Sequence, residues 1–139
     1  MTDAFSLGYS ENEARSTLRT FKLVFAANLI LQSTTALAVL VWPALGEMLT
    51  GVSLAGQDFA TFWAGMVLFA SAIQVPLYLR PIRMRTVLLV ALLGRFFMAI
   101  LFILEGLAFW RLAAFDAIFA IILVFLLQRA AIAHLQSRP

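Results

Sequence analysis

The chain alternates between long apolar stretches and short polar breaks, and the spacing of those breaks sets the architecture. Four apolar runs stand out, at about Leu23–Trp42, Phe59–Leu79, Thr86–Leu107 and Leu112–Ala133. Each is close to the ~20 residues that a helix needs to cross a bilayer. None shows the strict alternation of a half-buried strand. The pattern therefore predicts an all-α membrane protein, an antiparallel bundle of four transmembrane helices forming one domain over residues 1–139.

The polar breaks refine this outline. In "YSENEARSTLR", Ser10 and Glu13 stand in capping-box register, so a helix is expected to start there and run into the first span. Residues 1–22 then form a cytoplasmic N-terminal segment. The sequence "TALA" ahead of Val39 imitates a signal-peptidase site, but the apolar core before it exceeds the ~7–15 residues of a signal sequence. An uncleaved helix is expected. The break "PALGEMLTGVSLAGQ" (43–57) is punctuated by glycine and suits a short interfacial helix. The other two breaks are short, so spans two, three and four are expected to pack as sequential neighbours.

Composition agrees with a lipid environment. Of 139 residues, 63% are hydrophobic and 12% charged, against about 25% charged in soluble domains. Mean hydropathy is +0.98. The net charge of +3 does not point to nucleic acid, because the basic residues flank the apolar runs. Arg15, Arg19, Lys22, Arg80, Arg83, Arg85, Arg129 and Arg138 fall on one side of the four spans, and Arg111 alone on the other. Positive charge favours the cytoplasm, which predicts a bacterial-type inner membrane protein with both termini inside. Trp42, Trp63 and Trp110 gather near the opposite face, as an aromatic belt would.

Arg95 breaks this tidy pattern. It interrupts "LLVALLGRFFMAILFILEG" near the middle of the third span. An arginine at a helix centre costs about 2.5–3.5 kcal/mol on insertion scales, and each Leu, Ile, Phe or Val returns about 0.3–0.6. The span can carry it, but buried charges usually face a bundle interior and a partner. Counting depth from the flanking basic residues puts Asn28, Gln32 and Gln74 within reach of a guanidinium leaning toward the cytoplasm. Asn28, Gln32 and Thr35 share one helical face. Arg95, Asn28, Gln32 and Gln74 are therefore the candidate ligand- or partner-binding residues. By this count no carboxylate of the chain lies at the depth of Arg95. Three readings follow: neutral amides and carbonyls suffice, a partner subunit supplies the carboxylate, or the site holds an anion or polar headgroup such as a quinone carbonyl or fatty-acid carboxylate.

A second group, Asp58, Glu105, Arg111 and Asp116, lies at the other face. Close carboxylates can relay protons or bind a cation. The simpler reading is an ion-pair cluster, with Arg111 meeting Glu105 or Asp116, and with Asp58 and Asp116 favoured near helix starts. Along the second span Ala60, Ala64 and Ser71 share a face with Gly65 beside it, which favours close approach of another helix within the bundle.

Catalytic patterns are missing. The chain has no cysteine and one histidine, His134, so no metal site or haem ligation is expected and no cofactor is implied. No phosphate-cradling glycine loop occurs. A small multidrug transporter would suit the size, but that family depends on a glutamate in its first helix, where this chain offers Asn28 and Gln32. The run "FWAGMVLFASAI", the turn "RPIRMR", "LLGRFFMAILFILEG" and "FWRLAAFDAIFAIIL" resemble the DoxX-like group of small four-helix membrane proteins, including its BphX-like branch. Members of that group often start the second helix with an Arg-Gly-like pair, where this chain has Asp58 and Phe59. The resemblance implies a link to membrane quinone or thiosulfate redox complexes. The expected function is a non-enzymatic accessory or assembly subunit of an inner-membrane complex, with the bilayer and other membrane subunits or a second copy as partners. The alternative is a small transporter or a lipophile- or quinone-binding protein that uses the polar layer around Arg95.

Overall fold

The computed structural model describes residues 10–54 and 58–137. Over these residues the chain is all helical, with five α-helices and no strand: α1 (Glu11–Val41), α2 (Pro43–Thr50), α3 (Asp58–Leu79), α4 (Arg85–Glu105) and α5 (Trp110–Gln136). Four of them are long and apolar enough to cross a membrane, which supports a multi-pass membrane protein.

Local chemistry explains the boundaries. The Ser10 hydroxyl accepts from the Glu13 backbone N–H, while the Glu13 carboxylate accepts from the Ser10 N–H, closing the capping box that starts α1. The entry segment and the first span form one helix of 31 residues, about 46 Å long. Trp42 leaves helical geometry because Pro43 follows it. Pro43 then opens α2, where its missing N–H costs nothing. Helix α2 closes on Gly51, whose φ of 76° is the left-handed conformation of a C-cap glycine. Gly106, at φ 116°, turns the chain out of α4 into a 3₁₀ turn, Leu107–Phe109, which leads straight into α5. Pro76 sits inside the last turns of α3.

Two cores hold the helices together. Phe21 and Phe25 of α1, Leu77 of α3, Leu88 and Leu92 of α4, and Leu123 and Leu127 of α5 form one cluster at the arginine-rich end, joining all four long helices. Toward the tryptophan-bearing end, Ala36 and Val39 of α1 pack on Ala60 and Ala64 of α3. The small-residue face of α3 is thus spent on α1. Gly46 brings α2 against α1 so closely that a Cβ there would stand 2.8 Å from the Val39 backbone.

Helix α1 is the hub, packed on α2, α3 and α5, while α4 lies mainly on α5. Helices α3 and α4 barely touch. The expectation that spans two and three would pack as neighbours is therefore corrected. Their short turn joins them at one end only, and the larger α1–α3 and α4–α5 contacts draw them apart beyond it. A gap is left between α3 and α4.

Candidate functional site: a polar cavity around Arg95

The gap contains a cavity of about 230 Å³. Its walls follow from helical spacing. Trp63, Val67, Ala70 and Gln74 lie on one stripe of α3, Gln32 and Thr35 on α1, Arg95 and Met98 on α4, and Leu112, Phe115 and Asp116 on α5. Spacings of three and four residues put each set on one face. Leu49 of α2 and Arg111 close the tryptophan end.

Arg95 is its most unusual group. Its Nη1 donates to Asp116 Oδ1 at 2.8 Å, and the two side chains are only 8% and 18% exposed. The expectation that no carboxylate of this chain lies at the depth of Arg95 is overturned. The reason is register. The 3₁₀ turn leads straight into α5, so Asp116 stands nine residues beyond Leu107 and Arg95 ten before the end of α4, each about 15 Å from the connection. Phe102 stacked on Phe109 belongs to the same register. A desolvated guanidinium gains more from a carboxylate than from neutral amides.

The predicted polar layer is partly assembled. Gln32 and Gln74 line the same cavity as Arg95. Gln32 Nε2 donates to Ser71 Oγ at 2.6 Å, and the Ser71 hydroxyl donates to the Val67 carbonyl at 2.7 Å. The Thr35 hydroxyl donates to the Leu31 carbonyl. Asn28 does not belong to this wall. It is fully buried, one turn before Gln32, and neither of its amide atoms has a partner among the described residues.

The predicted outer cluster does not form as drawn. Arg111 meets neither Glu105 nor Asp116; its Nη1 donates to the Met48 carbonyl at 3.0 Å. That carbonyl lies in the last turn of α2, where a cation is favoured. Gly51 keeps room for the contact, since a Cβ there would come within 2.9 Å of the Arg111 stem. Glu105 is exposed at the end of α4, with no ion pair to a described residue. Asp58 opens α3, and its side chain lies outside the described ones. Arg138 also lies outside the described residues. Among the described residues no group of three or more His, Cys, Asp or Glu converges as metal ligands would.

Trp63, Met98, Leu112 and Phe115 escape sequence reasoning. They are ordinary apolar residues whose role as cavity wall depends on which helices are neighbours. Only the four-residue spacing of Trp63, Val67 and Ser71 hints that one edge of α3 has a special environment. The chain matches no protein-family model, no curated protein and no solved structure.

Proposed function

We propose that this chain is a four-span inner-membrane protein that binds a lipophilic small molecule in the cavity around Arg95. The observation that carries the reading is the cavity itself: an ion pair and two glutamines on the wall of a gap between two apolar helices. Such a site combines an apolar body with a few convergent polar groups, the usual make-up of a small-molecule pocket. In a bilayer the gap would open sideways, so a ligand dissolved in lipid needs no aqueous route.

The membrane arrangement belongs to the same proposal. Opposite running of α1 and α3 is supported by two contacts, Lys22 to the Leu79 carbonyl and Gln32 to Ser71, in which one number rises as the other falls. Arg95 with Asp116 and Phe102 with Phe109 support the same for α4 and α5. The distribution of basic residues supports a cytoplasmic side for both termini.

The accessory-subunit reading stands second, on different ground. A partner carboxylate for Arg95 is no longer called for, because Asp116 meets it. What favours a partner is the sparse contact between α3 and α4, a seam that another membrane helix could fill. Resemblance to DoxX-like proteins would suit either role.

Purification in a mild detergent followed by intact-complex mass spectrometry separates the two. Recovery alone, with a retained lipophile released on denaturation, is the expected result. Stoichiometric recovery with other membrane subunits, and no retained small molecule, would overturn it in favour of the second reading.

A further inference from the structure

Resting on the lipophile-binding reading, we infer that the cavity selects a single-chain amphiphile with a carboxylate head, and that Arg95 holds that head beside Asp116. Charge is the first argument. Among the described residues the ionisable side chains on the wall are Arg95, Arg111 and Asp116. Arg95 and Asp116 offset each other, and exposed Arg111 leaves one positive charge at the tryptophan end, which favours an entering anion over a cation.

Donor capacity is the second argument. A guanidinium carries five N–H donors. Among the described residues, Asp116 Oδ1 is the acceptor that Arg95 meets, and through Nη1 alone. The buried side-chain atoms without a partner are those of Asn28, not of Arg95. The remaining donors of Arg95 therefore border open space. A second carboxylate fits there by the forked geometry that suits arginine to this group. Gln74, with no side-chain partner among the described residues, supplies a further amide on the wall.

Depth is the third. Arg95 stands ten residues from either end of α4, about 15 Å along the helix. A phospholipid head is tied to the interface and would have to sink with both chains. A free carboxylate on one chain can enter through the gap, with its tail left against Met98 and the apolar faces of α3 and α4.

Trp63, on the cavity wall, reports occupancy. In the full chain carrying Trp42→Phe and Trp110→Phe, reconstituted in phosphatidylcholine nanodiscs, dibromostearic acid should quench Trp63 saturably. Its methyl ester and a brominated-chain phosphatidylglycerol should give only the linear quenching of bulk lipid. Equal saturable quenching by acid and ester would overturn the carboxylate inference while leaving a lipophile site. Saturable quenching by the phosphatidylglycerol alone would overturn it in favour of a phosphate head. Linear quenching by all three would overturn both the inference and the lipophile-binding reading. Charge variants give the opposite signs that a merely structural ion pair would not. Arg95→Gln should weaken acid binding ~10-fold or more, and Asp116→Asn should tighten it by a similar factor, as expected for gain or loss of a charge-assisted contact. Unchanged acid affinity in both would overturn the role assigned to Arg95. If either variant fails to fold, the acid–ester comparison still decides the matter.

Discussion

Arg95 and Asp116 illustrate how a buried ion pair is costly to break but not necessarily costly to remove. Each charge is withdrawn from solvent and each is the other's main compensation. Loss of one partner strands the other, a change that typically destabilises by about 3–5 kcal/mol, whereas joint replacement by apolar residues is often neutral. Arg95→Leu and Asp116→Leu should therefore each lower the melting temperature in detergent. The double variant should recover most of the loss. Additive losses in the double variant would mean that the pair contributes no coupling. Asn28 is the contrasting case, a fully buried amide with neither atom partnered among the described residues, although an unsatisfied buried polar group costs about 1–3 kcal/mol. Nothing in the described packing explains its retention. The residue scale is also where sequence reasoning reached least far. The capping box of Ser10 and Glu13 was legible because it depends on four consecutive residues. The partner of Arg95 was not, because it depends on the register of α5 against α4, which sets Asp116 opposite Arg95 as it sets Phe109 opposite Phe102.

At the scale of elements, the short helix α2 is set by two glycines with different duties. Gly51 ends it, and Gly46 seats it on α1 at backbone distance from Val39. A methyl group at Gly46 would have to displace backbone rather than a flexible side-chain tip. Gly46→Ala should therefore cost about 1–3 kcal/mol, the usual range for overpacking. It should also loosen the cavity wall that Leu49 provides. Gly65 and Gly94 are the internal controls, since a Cβ at either meets nothing within 4 Å. Gly65→Ala and Gly94→Ala should be neutral or stabilising by up to about 1 kcal/mol, because alanine is the better helix former. Thermal melts of the three variants check this, and equal behaviour at all three sites would refute the seating role of Gly46. The long helices and α2 were readable from apolar run length and from the Pro43 and glycine punctuation. The order in which the helices pack was not, because lipid-facing and core-facing residues are alike in being apolar. Leu88, fully buried, and Leu93, 62% exposed, lie five residues apart on one helix and give no compositional sign of the difference.

For the whole molecule, the decisive question is how often and in which direction the chain crosses the bilayer. In the proposed arrangement four spans put both ends on one side, and eight flanking basic residues against Arg111 favour the cytoplasm for that side. The packing is compatible with this arrangement, since Phe21 and Phe25 near the start of α1 share a core with Leu127 near the end of α5. Absence of cysteine makes the arrangement directly testable. Ser16 on the entry segment, Ser53 after α2 and Ser137 after α5 can each be changed to cysteine with little change in shape. In intact cells a membrane-impermeant maleimide should label Ser53→Cys, and should reach Ser16→Cys and Ser137→Cys only after permeabilisation. Labelling of the two end positions from opposite sides would require an odd number of crossings and defeat the four-span arrangement. Labelling of both ends but not Ser53→Cys in intact cells would keep four spans but invert them. Inversion would place the Arg80–Arg85 turn outside and move the cavity, which lies toward the tryptophan end, nearer to the cytoplasmic leaflet. A carboxylate amphiphile would then meet the site first from the inner leaflet rather than the outer, so the orientation experiment also fixes the direction from which the proposed ligand arrives.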